Sequence, residues 1–261
     1  MTDRTHTTEE YRFNEEEHLH EILIDGVWVA MTGISTVVKD MVNYGVAAYY
    51  GSRRALMALG YDPKDSPNEL KEVRATVNKM NIMLDEDLKG FLKSAYTNHA
   101  TYSKARATKG TNSHDIVDKY IKKCLKENKG EIMETKEPIV QKFLDLTKDF
   151  LPYKFLASEK HGFNREYFVA GICDIIVETK NGIGIWDLKD RPAIYGKDLL
   201  QCGGYTLLFP LQFTHVLGIP LEGKEVRAYY DIDGLQRAFV NQLGVYRAMQ
   251  ELDPIKKFIN K

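Results

Sequence analysis

Cysteine is scarce in this chain: three residues in 261, Cys124, Cys173 and Cys202, lie far apart. An odd, dispersed set excludes a disulfide framework and a C-x-x-C metal site, and fits three small buried hydrophobes in a reducing compartment. Long apolar runs are also missing. None approaches the ~20 residues that span a bilayer, and residues 1–8 lack the apolar segment of a secretory leader. The expectation is a soluble, cytoplasmic protein with no membrane partner. Charge of one sign is lacking too. The chain has 36 Lys+Arg against 37 Asp+Glu, a net charge of -1, which excludes a basic coat over the whole surface but leaves a local basic groove open. Neither internal repeats nor a Gly/Ser/Pro-rich linker divides the sequence. What is present is ordinary globular composition, 43% hydrophobic and 28% charged, so disorder is excluded as well.

The pattern along the chain predicts an α/β core with a mostly helical N-terminal lobe. Ile22 and Ile24, then Asp25-Gly26, then Val27-Trp28-Val29 read as a tight hairpin. Helical periodicity runs from Ser35 to about Leu59. Gly110-Thr111-Asn112-Ser113 is expected to open a helix whose buried stripe is Val117, Ile121 and Cys124, with Lys119, Lys122, Lys123 and Lys126 on its wet side. After Pro152 the texture turns to strand. Phe155 to Lys160 and Glu166 to Glu178 are extended, and Asn181-Gly182 turns the chain into Ile183 to Lys189. A helix follows over Ile194 to Phe209, then strands at Thr214 to Leu217 and Val226 to Tyr230, and a last helix at Leu235 to Leu252. The division expected is residues 1–150 as hairpin and helical lobe, contributing His114 to the site, and 151–261 as the core, in one compact unit.

The Asn181-Gly182 hairpin carries the chemistry. A symmetric two-residue turn there pairs Asp174 with Lys189 and Ile176 with Asp187, and alternation sets Asp174, Asp187 and Lys189 on one sheet face. Opposed Cβ atoms sit roughly 5 Å apart, so two carboxylates and an ammonium converge among Ile172, Ile183 and Ile185. A lone Asp/Lys pair would read as a partly buried salt bridge holding the hairpin. The second carboxylate exceeds what one lysine neutralises, and two Asp oxygens suit Mg²⁺ or Mn²⁺.

Gly171-Ile172-Cys173-Asp174, twelve intervening residues, then Asp187-Leu188-Lys189 resemble the core motif of the PD-(D/E)XK nuclease superfamily. Gln201-Cys202-Gly203-Gly204-Tyr205 is similar to the Q-x-x-x-Y element of its RecB-like exonuclease branch, and Lys109-Gly110-Thr111-Asn112-Ser113-His114 to that branch's G-T-x-x-H segment. The resemblance implies a restriction-endonuclease-like core, a central mixed β-sheet flanked by helices. It also implies a metal-dependent DNA nuclease, with Asp174, Asp187, Lys189, Gln201 and Tyr205 catalytic. His114, Asp174, Asp187 and the Leu188 carbonyl would be the ligands of Mg²⁺ or Mn²⁺. Glu159 resembles the acidic position upstream of the first core Asp and would support the site. The four-cysteine iron–sulfur cluster of CRISPR-associated relatives cannot be built from three cysteines.

Arg53, Arg54, Lys104, Arg106 and Lys109 are candidates for phosphate contacts, although each alone reads as a solvated surface cation. Tyr49, Tyr50, Tyr96 and Tyr102 are candidates for stacking on unpaired bases. The implied partners are DNA, single-stranded or with a free end, and recombination or replication proteins. Two alternatives stay open: an endonuclease of restriction or structure-specific type, and a nucleic-acid-binding scaffold without catalysis.

Overall fold

A computed structural model describes residues 6–7, 10–39, 78–80 and 82–259; at 6–7, 92, 94–112 and 252–259 only the backbone is described. Internal contacts distinguish two units, Met1–Met41 with Asn112–Lys261, and Val42–Thr111. All the expected catalytic and metal-binding residues belong to the first.

The chain opens with a four-stranded antiparallel sheet in sequence order: β1 (His6–Thr7), β2 (Tyr11–Asn14), β3 (Leu19–Ile24) and β4 (Val27–Ala30). The Asp25-Gly26 turn is as expected. Ile24 pairs with Val27, and both turn residues have positive φ, 51° and 78°, as a type I′ turn requires. The two strands before this hairpin extend beyond the sequence expectation. Their signal is the alternation of buried Tyr11 and Phe13 with half-buried Arg12 and Asn14.

The second sheet is mixed and six-stranded. Its order is β10 (Arg227–Tyr229), β9 (Phe213–Pro220), β8 (Gly182–Lys189), β7 (Val169–Thr179) and β5 (Thr32–Gly33), with β6 (Tyr153–Asn164) also paired to β7. The β8–β9 and β5–β7 pairs are parallel and the others antiparallel. Helices cover both faces. On one, α1 (Ile34–Lys39), α4 (Gly196–Thr206) and α5 (Ile232–Ile259) bury Val37, Leu199, Tyr205 and Phe239 against Ile176, Ile185 and Val216. On the other, α2 (Asp85–Glu127) and α3 (Pro138–Thr147) bury Val117, Ile121, Cys124 and Phe143 against Ile175, Val177, Trp186 and Leu217. The alternation Ile175, Ile176, Val177 feeds the two cores in turn, which is why this strand is apolar throughout. The architecture is therefore α/β, a mixed sheet between helices. Among the described residues no helix is long and apolar enough to cross a membrane.

Three local expectations need correction. Gly110 does not open a helix, because α2 runs unbroken from Asp85 to Glu127; a glycine inside a helix costs only about 1 kcal/mol against alanine, too little to stop it. The last helix continues through Pro254 to Ile259. The β7–β8 turn is Lys180-Asn181, closed by Thr179 opposite Gly182. Only Gly182 is left-handed there, at φ 108°, whereas a type I′ turn on Asn181-Gly182 needs two such residues. Of the helix expected over 35–59, residues up to 39 are seen; the rest, with Tyr49, Tyr50, Arg53 and Arg54, lies outside the described residues.

Candidate active site

The site sits where the second sheet forks. β6 pairs with β7 along its whole length, from Val169 to Thr179, so β5 and β8 share the opposite edge. β5 takes Val169 and Ala170, β8 takes Ile175 to Thr179, and Gly171 to Asp174 between them carry no rung on that edge. Asp174 and Asp187 are the first residues past the last rung, Ile175 opposite Trp186. The two-residue slip of the turn sets Asp174 across from Asp187 rather than Lys189. An even slip leaves unchanged which residues share a face, so the expected convergence survives the wrong register.

His114, Glu159 and Asp174 form one cluster, their ligand atoms all within 4.8 Å of one another. His114 comes from α2, held in place by Val117 and Ile121 at i+3 and i+7, both fully buried. Two side-chain bonds tie this part of α2 to the sheet: Ser158 Oγ donates to Asp118 Oδ1 at 2.7 Å, and Ser113 Oγ to Asp190 Oδ1 at 3.3 Å. Glu159 is the residue of β6 between the rungs Ser158–Ile175 and Lys160–Cys173, which sets it across from Asp174. Its φ is 47°, a left-handed conformation costing about 1–3 kcal/mol for a non-glycine residue and typical of functional positions. Asp174 accepts a hydrogen bond from the Leu188 backbone N–H at 2.8 Å, and the same Oδ2 lies 3.9 Å from His114 Nδ1.

Asp187 stands apart from that cluster, 1% exposed, with Oδ2 2.5 Å from Lys189 Nζ. Its Oδ1 has no hydrogen-bond partner among the described residues. Burial pushes this carboxyl up to about 7 against the pull of Lys189, with Asp174 adding repulsion. Burial also opposes the Lys189 charge, but Asp187 and Asp174 outweigh it and hold the ammonium above its ordinary range. Lys189 Nζ donates to Gln201 Oε1 at 3.4 Å, and Gln201 Nε2 donates to Tyr205 Oη at 2.7 Å. Gln201 and Tyr205 are one helical turn apart on α4, so they present one face. The close packing expected at Gly203 and Gly204 is present. A Cβ at Gly203 would lie 2.8 Å from Leu235, and one at Gly204 2.7 Å from Phe239. Gly171 serves Tyr205 likewise, since a Cβ there would lie 2.9 Å from the ring.

The expected residues are thus brought together, in two groups rather than one. Glu159, expected to support the site, is a member of the ligand cluster with His114 and Asp174. Asp187 Oδ2 meets Lys189 Nζ, and the Leu188 N–H donates to Asp174. Ile185 is fully buried as expected, while Ile172 and Ile183 are half-buried. Lys119, Lys122, Lys123 and Lys126 are exposed, as expected of the outer face of α2. Lys104, Arg106, Lys109, Tyr96 and Tyr102 lie on α2 where side chains are not described. The signal for Glu159 in the sequence is an acid that a register centred on Asp174 would place opposite it, and that register is visible only in the sheet.

Mg²⁺ or Mn²⁺, the ions implied by the motif resemblance, fit this donor set. One imidazole and two carboxylates within 4.8 Å of one another suit a hard or borderline divalent cation. Asp174 also repels the buried Asp187 carboxylate, a cost that such an ion would offset. Comparison with protein-family models and with curated proteins finds no match for this chain.

Proposed function

We propose that this protein is a metal-dependent DNA nuclease, an exonuclease hydrolysing phosphodiester bonds in DNA repair, recombination or phage DNA processing. The reading rests on the resemblance of the core motifs and, above all, on one observation. His114, Glu159 and Asp174 cluster next to a buried Asp187–Lys189 pair at the fork of the sheet. His114, Glu159 and Asp174 hold the ion, and Asp187 pairs with Lys189. The ion, when bound, supplies an acidic water and a counter-charge to the phosphate. Lys189, 20% exposed, orients the attacking water and stabilises the negative charge that builds as the oxygen–phosphorus bond forms. Gln201 fixes Lys189 from behind, and Tyr205 fixes Gln201. Burial and the neighbouring Asp174 and Asp187 keep the Tyr205 phenol protonated, so Tyr205 acts as an anchor and not as a base. Separate, buried cysteines fit a cytoplasmic setting for this activity.

The test uses end-labelled linear DNA and a closed circle with Mn²⁺, wild type beside Asp174→Ala and Lys189→Ala. Metal-dependent release of label by wild type alone, with the circle intact, is expected. Undiminished cleavage by either variant refutes the assignment. Cutting of the circle favours an endonuclease.

A further inference from the structure

A cavity of about 610 Å³ opens beside Lys189 and Gln201, walled on its far side by the N-terminal sheet and α1. The metal cluster does not line it. Its cations fall into two groups. Lys189 is paired with Asp187, and Arg191 with Asp198, while Lys39 and Lys197 have no ion-pair partner among the described residues. Among the described residues Glu17 is the one other acid on the wall, so their uncommitted charge is close to +1. That suits a single phosphate and disfavours a polyphosphate.

The opposite wall is aromatic. His18 is exposed and stacked on the buried Phe13, with ring centroids 5.9 Å apart. His20 is buried, and its Nδ1 lies 2.6 Å from the Tyr11 hydroxyl. The same hydroxyl lies 3.5 Å from His161 Nδ1; a phenol is a stronger acid than a neutral imidazole N–H, and with Tyr11 donating to His20 the remaining His20 proton sits on Nε2. The Cδ2 atom beside it lies on the Gly33 side of the ring, and Gly33 lines the cavity as well. His20 thus offers the cavity a fixed donor rather than a charge.

We propose that this cavity binds one unpaired nucleotide of the substrate strand, its phosphate on Lys39 and Lys197, its base against His18, and His20 Nε2–H bonded to its sugar or base. The inference rests on the nuclease reading for the word substrate, but its pocket stands on geometry independent of the metal cluster. A volume of this size and a single net charge admit a nucleoside monophosphate and not a duplex. Base stacking and a donor that carries no charge select nucleotide over bare phosphate.

The experiment titrates the full chain, in chelator, with deoxyadenosine 5′-monophosphate and with inorganic phosphate, by calorimetry. Saturable nucleotide binding below about 1 mM is expected, with phosphate at least roughly tenfold weaker. Lys197→Ala and His20→Gln should each weaken the nucleotide about tenfold or more. Tyr11→Phe, which frees the His20 tautomer, should weaken it less, and Lys154→Ala at a remote cavity not at all. Lys39→Ala, at an exposed position, repeats the test without touching the fold. Absence of nucleotide binding, equal affinity for phosphate, or binding insensitive to Lys39, Lys197 and His20 overturns the proposal. Wild-type cleavage with Mn²⁺ is measured alongside. Cleavage without nucleotide binding removes the pocket and leaves the nuclease reading, and nucleotide binding without cleavage does the reverse.

Discussion

Replacing Asp187 by asparagine separates two accounts of the ion pair at the end of β8. In one, Asp187 and Lys189 form a strut that holds the hairpin; in the other, the carboxylate is kept in an unfavourable place for chemistry. Burial raises the Asp187 carboxyl from 3.8 to about 7, with the attraction of Lys189 already included. At about 1.4 kcal/mol per decade, that amounts to a ceiling of about 4 kcal/mol by which the folded state disfavours the ionised form. Sign follows from proton binding. Between about pH 4 and 7 the folded state holds more protons at this site than the unfolded state, so stability falls as pH rises through that window. Asparagine removes the titration while keeping the shape. Lys189 then loses its partner, a loss that this ceiling already contains, and it stays 20% exposed and still donates to Gln201. Urea denaturation in chelator should therefore find Asp187→Asn more stable than wild type by about 1–3 kcal/mol near pH 8.5, with the gain vanishing near pH 4. A variant less stable by about 2 kcal/mol at the higher pH would falsify this account and restore the strut.

Three further outcomes follow from the same geometry. Mn²⁺ should raise the melting temperature of wild type, by about 2.7 kcal/mol of stability at a hundredfold excess over Kd, and His114→Ala or Glu159→Ala should remove most of that shift in calorimetry. Gly171→Ala sets a Cβ 2.9 Å from the Tyr205 ring; it should cost about 1–3 kcal/mol in denaturant titration and lower cleavage further by displacing Gln201. Burial, aided by His18, lowers His20 to about 4. The stability it contributes is present above about pH 6.5 and lost as pH falls towards 4, about 3 kcal/mol in all. Comparing the acid limbs of wild type and His20→Phe measures it, and identical limbs would refute the assignment.

Local chemistry explains why much of the site is legible before folding. Turn and alternation rules act over a few residues, so the Asp25-Gly26 hairpin and the shared face of Asp187 and Lys189 can be read directly. The observed turn at 180–181 leaves that face unchanged, because it differs from a turn at 181–182 by an even slip in register. Helical spacing likewise aimed His114 inward through Val117 and Ile121, and i, i+4 spacing joined Gln201 to Tyr205. Gly110 misled, since one weak residue does not end a helix that continues on both sides.

By itself the sequence singled out the polar side chains of the candidate site and, through periods of two and 3.6, which of them share a face. Only the tertiary structure decided how they group. Glu159 joins His114 and Asp174 because β6 pairs with β7 in one register, and registers between distant strands depend on packing that local spacing does not encode. The pull of Asp187 towards neutrality is decided there too, since it comes from excluding water, a property of every layer that closes over β8. The cavity beside Lys189 exists because residues 11–39 fold back against the fork of the sheet, and no short-range pattern in the sequence announces that contact.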